Sequence, residues 1–360
     1  MYSKLAESYK NTTYKLDGHG ARDMKVLKNA FDSVDSNTRA DAYGKGAVIN
    51  DFEAKMAHML GKEKAVFFPS GTMAQQIALR MWCDEEEIHQ VAYHPLCHLE
   101  LYEEDGLKVL HPIESVLLGE KDRVLTLKDL MALDTDISTL VIELPQRGIG
   151  GQCPTWDELN AILDYCKKKV IKTHLDGARL WEVSPYYDKS LSDICAGFDS
   201  VYVSFYKGLG GIAGAILAGP DAFMEKSKVW KRRYGGDLIS LYPYIVSAAY
   251  YLDQRLDKMP LYYEQAKVLA GYYNRMKSVY TVPEIPVSNM FHVYFHKDAE
   301  QVVHAIVQVM DKYNVGITPY IIENKDQDCM FEMAVGDAYQ DIPKETLEAC
   351  LLELDTILST

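Results

Sequence analysis

The chain is short of most features that would place it quickly. Its 360 residues hold 38 lysines and arginines against 52 aspartates and glutamates, for a formal net charge of −14. A chain so poor in cationic surface is a weak partner for phosphate backbones or anionic headgroups, so neither nucleic acid nor membrane is expected to bind it. No apolar run is long enough to span a bilayer. The opening Met1-Tyr2-Ser3-Lys4-Leu5-Ala6-Glu7 lacks the basic and apolar pattern of a secretory leader, and a cytoplasmic location is the expectation. The seven cysteines are scattered, with no Cys-x-x-Cys pair, which argues for reduced, buried thiols and against a disulfide framework or zinc site. Neither His94 nor His98 stands at a ligand spacing with nearby carboxylates, so no metal is expected. Internal repeats and low-complexity segments are absent as well.

What the chain does have is apolar content, 48% of residues, sufficient for one large domain and a smaller one. The stretch up to about Val48 is polar and dotted with glycine, and reads as an arm that packs on a partner surface. Phe52, Met56 and Leu60 recur with helical period. The run Ala65-Val66-Phe67-Phe68 reads as a strand, and Met73 to Met81 as a helix. Strands are then expected at 140–143, 171–176, 201–205 and 215–218, with helices at 155–167 and 191–196 between them. Thr155 and Glu158 stand at the spacing of a capping box. This alternation predicts an α/β sheet, mainly parallel. Beyond about Trp230 the pattern changes to long tyrosine-rich helix over 238–276. Strand, helix, strand and helix follow at 290–295, 299–313, 329–335 and 344–358, the outline of a small α+β domain. The expected division is an N-terminal arm and interface segment over 1–48, a large domain over 49–250 and a small C-terminal domain over 251–360.

Chemistry concentrates in three places. Lys207 lies in Ser204-Phe205-Tyr206-Lys207-Gly208-Leu209-Gly210-Gly211, where a β-rich run breaks into glycines. An amine at such a junction suits an imine-forming lysine, and the glycines would let backbone approach a bulky cofactor. About thirty residues earlier, His174-Leu175-Asp176-Gly177-Ala178-Arg179 ends another strand. Asp176 suits the partner of a protonated pyridine nitrogen, and together the two residues point to pyridoxal 5′-phosphate. In that company Arg179 suits a substrate carboxylate, since a guanidinium fork matches it bidentately; alone it would read as a structural ion-pair residue. Ser70-Gly71-Thr72 follows a strand and opens a helix, which is either an ordinary N-cap or a phosphate site built on backbone N–H groups and the Thr72 hydroxyl.

These blocks, in this order, resemble the threonine aldolase and β-eliminating lyase family of fold-type-I pyridoxal phosphate enzymes. Leu60-Gly61-Lys62-Glu63 leading to Phe68-Pro69-Ser70-Gly71-Thr72-Met73 is similar to its phosphate-loop block, and Asp41-Ala42-Tyr43-Gly44 to its N-terminal Tyr-Gly segment. His98-Leu99-Glu100-Leu101-Tyr102-Glu103 resembles the segment whose histidine stacks on the pyridine ring. The blocks around Asp176 and Lys207 match closely, and Ser288-Asn289-Met290 also fits. The resemblance implies an aspartate aminotransferase-like fold, with the mainly parallel sheet in the large domain. It implies that Lys207 forms the Schiff base, Asp176 pairs with the ring nitrogen, and His98 stacks on the ring and acts as acid or base. Ser70, Gly71, Thr72 and Ser204 join the cofactor set, and Arg179 grips the substrate carboxylate with Tyr43 and Gln146 nearby. Trp230-Lys231-Arg232-Arg233-Tyr234-Gly235-Gly236 resembles a basic segment presented to the phosphate of a neighbouring subunit, with Arg232 at the cationic position. A homodimer or homotetramer with shared active sites is implied.

The departures fall on the substrate side. The family's initial Ser-Asp-Thr-Val-Thr corresponds to Leu16-Asp17-Gly18-His19-Gly20-Ala21, and its Glu-Asn-Thr-His to Glu143-Leu144-Pro145-Gln146, so a histidine is replaced by Gln146. Glu332 stands about where a carboxylate-gripping arginine is expected, Ile239 where an interface arginine is, and Tyr206 where a serine usually precedes the lysine. Gln146 cannot change charge near neutral pH, which leaves His98 or His94 as the base. The expected reaction is cleavage of a β-hydroxy-α-amino acid, of the threonine or allo-threonine type, to glycine and an aldehyde. β-Elimination, transamination or racemisation of another amino acid needs the same Lys207 and Asp176 and is the alternative. A binding or regulatory protein that kept the fold without turnover is the third reading.

Overall fold

Central strands that bury residues on both faces run through the larger of the two units of the chain, Asp23–Ile149 with Cys153–Asp257. The structure, a computed structural model, describes residues 1–323 and 328–359. In this unit β1 (Lys64–Phe68), β2 (Gln90–Tyr93), β3 (Glu114–Leu117), β4 (Thr139–Glu143), β5 (Lys172–Gly177), β6 (Ser200–Ser204) and β7 (Ala215–Gly219) form one sheet in the order β1-β7-β6-β5-β4-β2-β3. β7 runs antiparallel to both β1 and β6, and the remaining pairs are parallel. Full burial of both faces is what a sheet covered by crossover helices requires.

The helix Gly71–Glu86 shows how the covering works. Ser70 caps it in extended geometry, and Glu87 ends it in the left-handed region with φ 55°. Its Ala74, Ile77, Ala78, Met81 and Trp82 pack with Val66, Phe68, Leu217 and Phe223, and the rings of Trp82 and Phe223 stack at 3.9 Å. The helix expected from Thr155 runs Trp156–Lys169, and Thr155 Oγ accepts the Glu158 N–H at 3.2 Å. The reciprocal half of that capping box does not form. Glu158 Oε1 instead accepts the Leu127 N–H at 2.6 Å, at the start of a neighbouring helix. The reciprocal box forms where it was not expected, between Thr126 and Asp129.

The smaller unit comprises Met1–Arg22, Gly150–Gln152 and Lys258–Thr360. Its antiparallel sheet has the order β10-β11-β9-β8, where β8 is Val279–Val282, β9 Met290–Phe295, β10 Ile322–Glu323 and β11 Cys329–Ala334. Helices Ala299–Tyr313 and Lys344–Ser359 supply its core with Val302, Ile306, Val309, Leu347, Leu351 and Leu354. Residues 1–48 therefore do not stay together as one arm. Helix Tyr2–Asn11 buries Leu5 in this core and Tyr14–Lys15 pairs in parallel with Val315–Gly316, whereas residues from Asp23 onward belong to the larger unit. The tyrosine-rich stretch also divides, into Tyr242–Arg255 and Met259–Tyr273 around a 3-10 turn at 256–258. The boundary between units falls at that turn, after Asp257. All seven cysteines are buried and free. Among the described residues, no helix is long and apolar enough to cross a membrane.

Candidate active site

The site is built where neighbouring parallel strands end together. β4 ends on Glu143, β5 carries Asp176 opposite it in register, and β6 ends on Ser204, three residues before Lys207. The carboxyl-terminal edge of a parallel sheet is where α/β folds hold ligands. Asp176 is fully buried. Its Oδ1 accepts the Ala178 N–H at 3.1 Å, and no cation pairs with it among the described residues. Oxygens of Glu143 and Asp176 and the Cys97 sulfur lie within 4.8 Å of one another. Burial, and then the Asp176 charge, push the Glu143 carboxyl up to about 7. Glu143 is fixed by the Arg147 N–H at 3.1 Å and by Gln146 Nε2 at 3.0 Å.

Lys207 sits on a tight loop closed by Gly210 N to Lys207 O at 2.9 Å and Gly211 N to Phe205 O at 2.8 Å. Burial pushes its ammonium below the ordinary lysine range. Asp176 and Glu143 oppose that shift, and Arg179 and Arg147 reinforce it. A lysine held this way has more free amine near neutral pH, the form that attacks carbonyl carbon. The Arg179 guanidinium, half-buried, has no hydrogen bond or ion pair among the described residues.

At the helix start, Gly71 allows a close approach. A Cβ there would stand 2.0 Å from the phenol oxygen of the buried Tyr202. Gly71→Ala should therefore push the helix N-terminus away from β6. The expected loss is about 1–3 kcal/mol of stability, the usual scale of overpacking, read as a lower urea midpoint with unchanged slope. An unchanged midpoint would show that Tyr202 yields freely.

His98 lies half-buried at the start of a short helix, its Nδ1 3.2 Å from Glu103 Oε1. Glu103 is buried, and its other oxygen accepts Gln76 Nε2 at 2.9 Å. A carboxylate at Nδ1 makes that nitrogen the donor and leaves Nε2 as the basic one. His94 is placed differently. Its Nε2 meets the carbonyls of Glu120 at 2.8 Å and Arg123 at 3.0 Å, and its Nδ1 accepts the Leu96 N–H at 3.0 Å. Both of its nitrogens are committed to pinning a loop. Gln146 is likewise buried, with Nε2 shared between Leu96 O and Glu143.

Residues 34–296 match the beta-eliminating lyase family. The chain belongs to that family. Over 99% of both chains it superposes on a candidate L-allo-threonine aldolase of Listeria monocytogenes, with 54% identity and a TM-score of 0.98. It is 29% identical to low-specificity L-threonine aldolase 1 of Arabidopsis thaliana, over 66% of this chain and 69% of that protein. Serine palmitoyltransferase of Sphingomonas wittichii shares the fold alone, at 16% identity and a TM-score of 0.68 over 95% of this chain and 86% of that one. The fold is that of the fold-type-I enzymes.

Within this beta-eliminating lyase frame, several expected residues take positions that the sequence did not foretell. The Ser204 hydroxyl donates to Ala178 O at 2.7 Å, tying the loop after Asp176 to β6. Arg232 is exposed, paired with Asp237 at 2.7 Å and lying over the Tyr43 ring at 4.9 Å. The buried cation of that segment is its neighbour Lys231, 5.7 Å from the centre of the Phe68 ring and pushed down by burial. Tyr43 holds φ 46°, and its N–H donates to Ile239 O at 3.0 Å. Gly208, expected to make room for a cofactor, faces the Glu182 carboxyl. Glu332 belongs to the smaller unit, on β11 opposite His292 of β9 in register, with Nε2 to Oε1 at 3.4 Å. Sequence reasoning passed over Glu103, Glu143, Glu182 and Lys231.

Proposed function

We propose that the chain binds pyridoxal 5′-phosphate at Lys207 and cleaves β-hydroxy-α-amino acids of the threonine type to glycine and an aldehyde. The observation that carries this reading is the buried Asp176, which forms no ion pair among the described residues, near a lysine whose ammonium burial disfavours. A buried carboxylate lacking a counter-charge is unfavourable unless a cation arrives, and a pyridinium nitrogen is such a cation. The helix N-terminus at Ser70-Gly71-Thr72 offers N–H groups and dipole to a phosphate. The residues thus fit the group. The named activities of the aldolase relatives support the same reaction.

Bound pyridoxal phosphate supplies an electron-accepting ring for the pair released when a bond to Cα breaks. The remaining work belongs to the chain. Lys207 would hold the cofactor through its side-chain amine. Asp176 keeps the ring nitrogen protonated. Arg179 would hold the substrate carboxylate and so orient the substrate in the site. His98 Nε2, its opposite nitrogen oriented by Glu103, takes the proton of the β-hydroxyl. As that O–H becomes C=O, the Cα–Cβ bond breaks, and a proton returned to Cα gives glycine.

Product analysis with threonine and allo-threonine tests the reaction: equal glycine and acetaldehyde are expected, and pyruvate or another keto acid would overturn it in favour of elimination or transamination. Arg179→Leu should raise KM about 10- to 150-fold, corresponding to the roughly 1.5–3 kcal/mol of a charge-assisted hydrogen bond. The visible band of the bound cofactor should persist, with its pH midpoint shifted upward by loss of the Arg179 charge, and an unchanged KM would remove Arg179 from the carboxylate site. Tyr43, Arg232, Leu238 and Ile239 form an exposed, partly apolar surface, which we read as a face between copies in a homodimer or homotetramer. The free cysteines fit a reducing, cytoplasmic setting.

A further inference from the structure

Glu182 is the buried acid for which the reaction so far has no use. It closes the short turn Leu180–Glu182 that follows Arg179, and its N–H donates to Arg179 O at 3.1 Å. Only 2% of its surface is exposed, and its Oε2 has no hydrogen-bond partner. Oε1 lies against the backbone of Gly208, the residue after Lys207, where a Cβ would come within 1.9 Å of it. The titratable groups that face Glu182 are Arg179 on its own turn, Lys207 on the loop after β6, and the Cys153 thiol. Burial pushes its carboxyl up to about 7, against the pull of Arg179 and Lys207. This buried acid thus stands beside two cations and a glycine whose Cβ would meet its carboxyl.

We propose that Glu182 is a positioning residue for Lys207, seating the Gly208 peptide and supplying negative charge to the Lys207 nitrogen and to Arg179. The proposal rests on Lys207 being the cofactor lysine. Lys207 is faced by Asp176 and Glu143, which favour its protonated nitrogen, by Arg179 and Arg147, which oppose it, and by the Tyr206 ring at 5.9 Å. Glu182 weighs on the side of the carboxylates and offsets Arg179 from the same turn. Gly208 is then required by the acid, since any side chain at 208 would evict the carboxyl.

The test is a pH titration of visible absorbance in the reconstituted holoenzyme, which reports protonation of the nitrogen linking Lys207 to the cofactor. Glu182→Gln keeps the shape and removes the charge, so the midpoint should fall by about half a unit or more, a roughly threefold or larger loss of proton affinity. Gly208→Ala approaches from the other side. By displacing the carboxyl it should move the midpoint in the same direction, and it serves if the glutamine variant does not fold. A midpoint that stays at the wild-type value in every variant that folds and binds cofactor would overturn the role of Glu182 and leave the cofactor reading standing. Absence of a visible band in the wild type would overturn both.

Discussion

Lys207→Ala leaves the reconstituted protein without a visible imine band and lowers aldehyde release by about a thousandfold or more, the scale on which removing a covalent participant acts. No neighbour can replace it. The cations whose charge acts on Lys207 are the guanidinium groups of Arg179 and Arg147, which cannot form an imine. The buried Lys231 lies against Phe68 in a different segment. Because burial lowers the Lys207 ammonium, cofactor uptake by the wild-type apoprotein should rise with pH and level off below the range where an ordinary lysine would. Measuring uptake by absorbance across pH checks this. A rise continuing to ordinary lysine values would mean that the amine is not desolvated.

Asp176→Asn is expected to lower turnover about 10²- to 10³-fold, the usual cost of removing a preorganised charge from a developing one. The substitution keeps size and the Ala178 contact but cannot hold a proton on a pyridine nitrogen. It also removes one of the two causes that raise Glu143, so the Glu143 carboxyl should titrate below about 7 in the variant. A pH profile of turnover measures both effects. If Glu143, in register with residue 176, took over the pyridinium, the loss would shrink at high pH, where Glu143 is ionised. A variant with wild-type turnover throughout would show that Asp176 carries no charge role.

Much of this could be read from the residues because the chemistry is local. Lys207, Asp176 and the Ser70–Thr72 helix start each lie within a few residues of a strand end, and strand ends show in apolar runs such as Ala65–Phe68. What stayed hidden depends on distant packing. β3 went unrecognised because it is an edge strand with largely exposed residues and no alternation. The first 22 residues were assigned to an arm because nothing local says that Leu5 would meet a core supplied 250 residues later. Glu158 is a helix-start acid in the sequence, and only the fold brings Leu127 N–H within its reach. The same holds for Glu182 and Gly208, and for Lys231, whose burial depends on distant packing.

The central claim is that Lys207 carries the cofactor. Borohydride reduction of the holoenzyme, followed by proteolysis and mass spectrometry, tests it directly, since reduction fixes the pyridoxyl group on whichever amine held it. The account predicts the label on Lys207 alone. A label on Lys231 or another lysine, with Lys207 unmodified, would contradict it.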